Sequence, residues 1–176
     1  MNYLFTSERL GFRNWWNADV VPMVAINQDP AVMRFFPRPS SPLETKAWVE
    51  KTQRQGKEKG YCYFAVELLA SQELLGFIGL SDKDFAANFT PCVDIGWRLG
   101  KQFWGKGYAT EGAQRCLTFA KEEIGLKKVY AIAPKVNQPS IRVMQKIGMQ
   151  FEQEFAHPLL GGSPHLQPCV AYQLEL

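Results

Sequence analysis

The pattern of hydrophobic and polar positions predicts alternating strands and helices. Short segments with period-two alternation or continuous apolar character are typical of strands. Seven such segments occur, at residues 8–15, 61–68, 74–80, 92–99, 128–133, 149–155 and 170–176. Apolar residues at helical spacing predict helices over residues 19–27, 42–59, 108–124 and 139–147, with one further turn over residues 31–36.

Two of these helices begin at recognisable capping signals. Ser41 and Glu44 flank Pro42 in the arrangement of a capping box with proline at the first helical position. Asp19 precedes the first helix and is predicted to cap it with its carboxylate.

The order of the elements predicts the fold class. Three consecutive strands in the middle of the chain favour antiparallel pairing, whereas the later strand, helix, strand succession favours one parallel pair. We therefore expect residues 1–176 to form a single α/β domain. Its mixed, mostly antiparallel sheet would have about seven strands, flanked on both faces by about four helices.

Composition narrows the classes of function. Hydrophobic residues make up 46% of the 176 residues and charged residues 21%, as in ordinary globular domains. The net charge of +3 is dispersed, which argues against nucleic acid as a partner. The four cysteines have no C-x-x-C spacing and there are two histidines, so we expect neither a metal site nor a disulfide framework. Because no leader and no long apolar run is evident, we expect a cytoplasmic protein without a membrane partner.

The segment QFWGKG at residues 102–107 is the strongest candidate for chemistry. It lies between a predicted strand and a predicted helix, and its two glycines let the backbone turn sharply and approach a ligand. The helix that follows has unpaired amides and partial positive charge at its start. Together these features predict a site for a phosphate or pyrophosphate.

The same loop also fits most of a nucleotide-triphosphate P-loop. Gly100 to Lys106 follow the pattern G-x-x-x-x-G-K. However, Gly107 stands where that motif needs a hydroxyl for Mg²⁺, and no later strand ends in an aspartate suited to hold the metal. The triphosphate interpretation is therefore disfavoured.

A second segment distinguishes between the pyrophosphate and the triphosphate interpretations of the loop. The loop has the form Q/R-x-x-G-x-G within IGWRLGKQFWGKGYATE at residues 95–111, and NQPSIRVMQKIGM follows at residues 137–149. These two segments resemble the cofactor motifs of GCN5-related N-acetyltransferases (GNAT), and within them the RimJ/RimL-like branch. The resemblance extends over almost the whole chain. It implies acetyl-CoA as co-substrate, with no metal.

The resemblance also assigns the cofactor-binding residues. The amides of the loop and helix start would hold the pyrophosphate, and the main chain at the end of the preceding strand would pair with the pantetheine arm. That strand and the strand over residues 128–133 would splay apart, and a strand amide would polarise the thioester carbonyl. The residues implied are Trp97, Arg98, Leu99, Gln102, Gly105, Lys106, Gly107, Tyr108, Ala109, Asn137 and Ser140.

The sequence indicates the proton donor less clearly than it indicates the cofactor-binding residues. In the family a tyrosine often protonates the departing thiolate, but this chain has Met144 at the matching position, which has no proton to donate. Ser140 is therefore the candidate donor, and Asn137 would bind amides of the cofactor. The alternative for Ser140 is that it only caps its helix.

The amine acceptor must lose a proton before it attacks, so a base is also expected. Asp94 and His157 are the candidates, with Glu154 behind them. For Asp94 the alternative is an exposed strand residue or an ion-pair partner. For His157, which precedes a proline, the alternative is a structural role.

The resemblance implies transfer of acetyl to a primary amine, belonging to a protein N-terminus or to a small molecule. The alternative is a non-catalytic acyl-CoA-binding or regulatory module of the same fold. A homodimer is left open as the assembly. Five aromatic residues lie in the part of the chain that shapes the acceptor side of the family, although packing in the core is the favoured interpretation; they are Trp15, Trp16, Phe35, Phe36 and Trp48.

Overall fold

A computed structural model describes residues 3–176. Its strands are β1 (Phe5–Thr6), β2 (Leu10–Arg13), β3 (Tyr63–Leu68), β4 (Leu74–Lys83), β5 (Cys92–Leu99), β6 (Lys128–Pro134), β7 (Gln150–Ala156) and β8 (Pro168–Glu175). Its α-helices are α1 (Val20–Gln28), α2 (Pro30–Met33), α3 (Pro42–Lys59), α4 (Tyr108–Glu122) and α5 (Gln138–Lys146). Short 3₁₀ turns cover Asn17–Asp19, Lys101–Phe103 and Pro158–Leu160.

All the strands join one sheet in the order β1-β2-β3-β4-β5-β6-β8-β7. The pairs are antiparallel except for β5 and β6, which run parallel. The predicted fold class, a mixed and mostly antiparallel sheet between helices, is confirmed. The described residues form eight strands because the predicted segment 8–15 is part of a tight hairpin: Ser7 N donates to Leu10 O at 2.9 Å, and β1 pairs back onto β2.

The two parallel strands part soon after they meet. Between β5 and β6 the paired positions are Asp94 and Tyr130 alone, whereas β4 and β5 pair from Gly76 with Leu99 to Lys83 with Cys92. The predicted splay of this central pair is therefore present. Residues of β5 beyond Asp94 leave one backbone edge without a strand partner.

Helices cover both faces of the sheet because successive strand residues point in opposite directions. Ile78 of β4 packs in the larger core with Ala113 of α4 and Ile141 of α5. Its neighbour Phe77 packs in a second core with Met23 of α1. The sheet therefore has an α4–α5 face and an α1–α3 face.

The capping predictions had different outcomes. In α3, Glu44 N donates to Ser41 Oγ at 3.2 Å and Ser41 N donates to Glu44 Oε2 at 2.7 Å, which confirms the capping box. The cap predicted for Asp19 is wrong, since its side chain makes no capping hydrogen bond to α1. Its carboxylate instead accepts from both Nη groups of buried Arg13 and from Trp16 N. A buried guanidinium needs a counter-charge more than an exposed helix end needs a cap.

Among the described residues, no helix combines the length and the apolar character needed to cross a membrane.

Candidate active site

The loop between β5 and α4 turns through two glycines. Gly105 has φ +74° and Gly107 has φ +83°, a backbone region that other residues rarely adopt. Trp104 lies between them and β5, and its indole Nε1 donates to the carbonyl oxygen of Leu99 at 2.9 Å. The loop is thus tied to the end of β5.

The first amides of α4 face the same space. The first helical hydrogen bond is from Glu111 N to Gly107 O at 3.0 Å. The N–H groups of Tyr108, Ala109 and Thr110 precede it and have no acceptor within the helix. All three residues line the pocket described below. These amides and the helix dipole favour an anion.

An ion pair holds this loop against β2. Arg9 Nε donates to Glu111 Oε2 at 2.6 Å, and Arg9 Nη1 donates to the Lys106 carbonyl oxygen at 3.1 Å. Glu111 also accepts from Ser7 Oγ at 2.7 Å and from Arg9 N at 2.8 Å. Partial burial acts to raise the pKa of Glu111, but these hydrogen bonds and the charge of Arg9 outweigh it, so the pKa is lowered. The sequence gives no sign of this pair, because its members are 102 residues apart.

A pocket of about 370 Å³ extends from the loop. Its lining includes Thr110 of α4 and Val143 of α5, and on the other side Val32 of α2 and Phe35. The end of β5, Trp97 to Leu99, lies between them. The pocket therefore borders both faces of the sheet at the unpaired edge that the splay of β5 and β6 creates.

The charged lining of this pocket is basic. No aspartate or glutamate occurs among its described lining residues. The cations that line it are Arg34, Arg98, Arg142 and Lys146. An anionic ligand is favoured over a cationic one.

Helix α5 contributes Asn137 and Ser140 to the pocket. Asn137 is the N-cap, since its Oδ1 accepts from Ser140 N at 3.3 Å. The cap is therefore Asn137 and not Ser140, whose hydroxyl has no hydrogen-bond partner among the described residues. Met144 is buried in the larger core and is absent from the described lining.

Asp94 lies where β5 and β6 separate. Its side chain is buried, and it accepts a short hydrogen bond from the hydroxyl of Tyr63. Lys83 Nζ is 3.9 Å from its Oδ2. Burial raises the pKa of Asp94 to about 6, against the opposing effects of Lys83, Tyr63 and a backbone hydrogen bond from Ile132. The carboxylate is thus charged at neutral pH but more basic than an ordinary aspartate.

A family model described as an acetyltransferase (GNAT) domain matches residues 9–150. The chain belongs to the GNAT acetyltransferase family. An uncharacterized N-acetyltransferase of Bacillus subtilis, YnaD, is 33% identical over 151 residues, which cover 85% of this chain and 84% of YnaD. The predicted family is confirmed.

Solved structures agree with this GNAT fold. A GNAT-family acetyltransferase from Bacillus anthracis is similar with a TM-score of 0.80 and 27% identity, covering 97% of this chain and 96% of that one. The ribosomal-protein α-N-acetyltransferase RimL, solved with coenzyme A, has a TM-score of 0.80 at 15% identity, covering 99% and 98% of the two chains. At that identity the likeness to RimL is one of fold.

The residues of this GNAT site fit coenzyme A. Its phosphates need donors and positive charge, and the pocket offers the unpaired amides of α4 and a basic lining. Of the predicted cofactor-binding residues, the structure brings these to the pocket: Trp97, Arg98, Leu99, Gly105, Gly107, Tyr108, Ala109, Asn137 and Ser140.

Two predicted cofactor residues lie apart from the others. Gln102 is in the 3₁₀ turn before the loop and lines a separate pocket, beside Arg13 and Glu67. Lys106 is exposed and its carbonyl oxygen accepts from Arg9. Neither side chain is among the described lining of the main pocket.

His157 and Glu154 also lie outside the described lining of this pocket. His157 caps the 3₁₀ turn that follows β7, since its Nδ1 accepts from Leu159 N at 3.2 Å. Its ring packs on Phe85, with centroids 4.4 Å apart, and burial followed by the charge of Lys83 lowers its pKa. Glu154 is exposed and pairs with Lys135 at 2.6 Å. The structural interpretation of His157 accounts for these contacts.

The five aromatic residues lie in three different environments. Trp15 and Trp48 pack edge to face in the second core at 5.2 Å, and exposed Trp16 stacks on the guanidinium of Arg13. Phe35 lines the pocket, and Phe36 covers the guanidinium of Arg98 at 4.1 Å. Core packing therefore explains two of them, whereas Phe35 and Phe36 lie on the α1–α3 side of the site.

Proposed function

We propose that this GNAT protein transfers an acetyl group from acetyl-CoA to a primary amine, as an enzyme of the RimJ/RimL-like type. The observation that carries the proposal is the pocket itself. It joins the anion-binding start of α4 to the α1–α3 face through the gap beside β5. Cofactor and acceptor can therefore meet there from opposite faces of the sheet.

The phosphate end of the cofactor is assigned to the loop and the first turn of α4. The amides of Gly107, Tyr108 and Ala109 would donate to the pyrophosphate. The main chain from Trp97 to Leu99 would pair with the pantetheine arm, because this edge of β5 has no strand partner. The free amide nitrogen of Asn137 would bind the same arm, since its oxygen already caps α5.

When bound, acetyl-CoA supplies a thioester, so that a C–N bond to the amine forms and the C–S bond to the thiol breaks. A main-chain N–H of β5 would stabilise the negative charge that develops on the carbonyl oxygen. The apolar part of the lining, which includes Phe35, Trp97 and Val143, would keep water away from the bound thioester.

Asp94 is the proposed acceptor of the amine's proton. It is charged at neutral pH and its raised pKa makes it a better base than an ordinary aspartate. Because neither Asp94 nor Tyr63, whose hydroxyl donates to the carboxylate, is among the described lining of the pocket, a chain of water molecules would carry the proton to this pair.

Ser140 is the proposed donor to the departing thiolate. It lies at the start of α5, lines the pocket, and has a hydroxyl that no described residue uses. Met144 cannot take this role, as it has no proton to donate. The acceptor is proposed to be a protein N-terminal α-amine or a small-molecule amine.

The test is to incubate the protein with acetyl-CoA and a panel of amines and to follow thiol release, with acetyl-CoA binding measured by calorimetry in the same buffer. Saturable binding together with amine-dependent release is expected. Binding without release for any amine would favour the non-catalytic module. ATP binding that requires Mg²⁺ would contradict the assignment of the loop.

A further inference from the structure

Arg98 is a partly buried cation without a counter-ion among the described residues. Its Nη1 donates to Asn27 Oδ1 at 2.6 Å, and Asn27 is neutral. Its Nε is enclosed and has no hydrogen-bond partner among the described residues. Burial lowers its pKa to about 10, so the side chain stays protonated at neutral pH. An uncompensated charge in a protein interior is costly, and such groups are normally paired.

The neighbours of Arg98 are aromatic and do not neutralise it. Phe36 and Phe77 lie 4.1 Å and 5.5 Å from its guanidinium carbon. Cation–π contacts offset part of the cost of desolvation but supply no net negative charge. Across the described residues, Arg98 forms no ion pair.

The side chain of Arg98 lies on the face of the sheet opposite to the expected phosphate site. Trp97 and Leu99 pack with the α4–α5 core, whereas Arg98 contacts Asn27 of α1 and Phe77 on the other face of the sheet. Arg98 also lines the pocket. It is therefore placed toward the acceptor and away from the start of α4, where the phosphates are expected to bind.

We propose that the acceptor amine carries a carboxylate, and that Arg98 binds it in the pocket. This inference rests on the proposed function. The carboxylate would supply the missing charge and accept a charge-assisted hydrogen bond from Nη2, which has no hydrogen-bond partner among the described residues and, unlike Nε, is not enclosed. Asn27 holds Nη1 and thereby orients Nη2. Polyamines are disfavoured as acceptors, because the described lining of the pocket is basic and includes no acidic residue.

The experiment compares amines with and without a carboxylate, with kcat/KM expressed per concentration of neutral amine, because the carboxamide also lowers the pKa of the α-amine. Common α-amino acids and their carboxamides are offered as acceptors with saturating acetyl-CoA. We expect kcat/KM to be about tenfold or more higher for the carboxylates, which corresponds to one charge-assisted interaction. Equal use of both series would overturn the inference while leaving the proposed function intact.

Substitutions then test which residue causes the preference for carboxylate acceptors. Arg98→Gln should bring the carboxylate-to-carboxamide ratio close to one, with acetyl-CoA affinity unchanged. Arg54→Gln removes an exposed charge from α3 and should keep the ratio of the wild type. If Arg34→Gln abolishes the preference and Arg98→Gln does not, the assignment to Arg98 is wrong.

A second variant covers the case in which Arg98→Gln does not fold. Asn27→Asp places a carboxylate beside Nη1 and gives Arg98 an internal counter-ion. It should raise thermal stability and lower the preference for carboxylate acceptors about tenfold. An unchanged preference would contradict the proposal.

Binding gives a readout that does not depend on turnover. N-acetyl amino acids, the expected products, should raise the melting temperature of the protein with CoA present, and their carboxamides should raise it less. If no amine of either series releases thiol, the proposed function fails, and this measurement still decides the role of Arg98. Equal stabilisation by both series would overturn it.

Discussion

Tyr63 on β3 donates its hydroxyl hydrogen to Asp94 on β5, across the intervening strand β4. The ring passes over Gly96, which is paired with Gly79 of β4. A Cβ at position 96 would lie 3.0 Å from both Cε1 and the hydroxyl oxygen of Tyr63. The absence of a side chain at Gly96 thus makes room for the contact that orients the candidate base.

Gly96→Ala should displace the ring of Tyr63 and weaken its hydrogen bond to Asp94. We expect the turnover rate to fall about tenfold, the value of one hydrogen bond to a charged group, with acetyl-CoA affinity unchanged. The matched control is Gly162→Ala, where a Cβ meets no atom within 4 Å. Tyr63→Phe should have a similar effect on the rate. If the two changes combine additively, they do not act on the same contact.

Asp94 should make stability depend on pH in a defined window. Its pKa is raised from 3.8 to about 6 in the folded protein, so between those values the folded state holds a proton that the unfolded state has released. The free energy of unfolding should therefore fall by roughly 3 kcal/mol as pH rises from about 4 to about 6. Above pH 6, Asp94 should cause no further change in stability. Asp94→Asn should abolish the decline.

Chemical denaturation of the wild type and of Asp94→Asn at a series of pH values measures this difference in the pH dependence of stability. Parallel stability curves for the wild type and Asp94→Asn would contradict a raised pKa. The same titration should appear in catalysis, with the rate of the wild type falling as pH drops through about 6, because the protonated carboxyl cannot accept a proton.

Gly107→Val should abolish acetyl-CoA binding in a protein that still folds. A β-branched side chain at φ +83° is strained, and the new Cβ would lie 3.5 Å from Arg9 Nη2. The matched control is Gly125→Val, which carries a similar strain at φ +76° after α4 but is absent from the described pocket lining. It should lose comparable stability and bind acetyl-CoA normally in calorimetry. Unchanged affinity in Gly107→Val would show that the loop does not bind the phosphates.

Ser140→Ala should lower kcat by about 100-fold, the lower end expected for loss of a general acid, and should leave the KM for acetyl-CoA within about twofold. His157→Gln provides the contrast, since His157 caps a 3₁₀ turn away from the pocket. It should lower the melting temperature and keep kcat. Steady-state kinetics on both variants measure the difference. An unchanged kcat in Ser140→Ala would exclude Ser140 from the mechanism. A fall in kcat in His157→Gln alone would restore His157 as a candidate base.

Features encoded over a few consecutive residues could be predicted. The capping box of α3 and the buried stripe of α4 depend on contacts three or four positions apart, so hydrophobic periodicity predicts them. The position of the glycine loop between a strand and a helix is local in the same sense. Strand β1 lies outside the predicted segments, because its two residues are too few to show alternation, and its pairing onto β2 after the turn at Ser7 is visible only in the structure.

The sequence by itself therefore determined seven of the eight described strands, the helices and the loop that is assigned to the cofactor. Only the tertiary structure decided that β8 enters the sheet between β6 and β7, and that Arg98 meets Asn27, 71 residues away. Likewise it brought Tyr63 to Asp94, 31 residues away, across two glycines on neighbouring strands. The physical reason is that local periodicity specifies which way a side chain points, whereas its partner depends on the order and register in which distant strands pair.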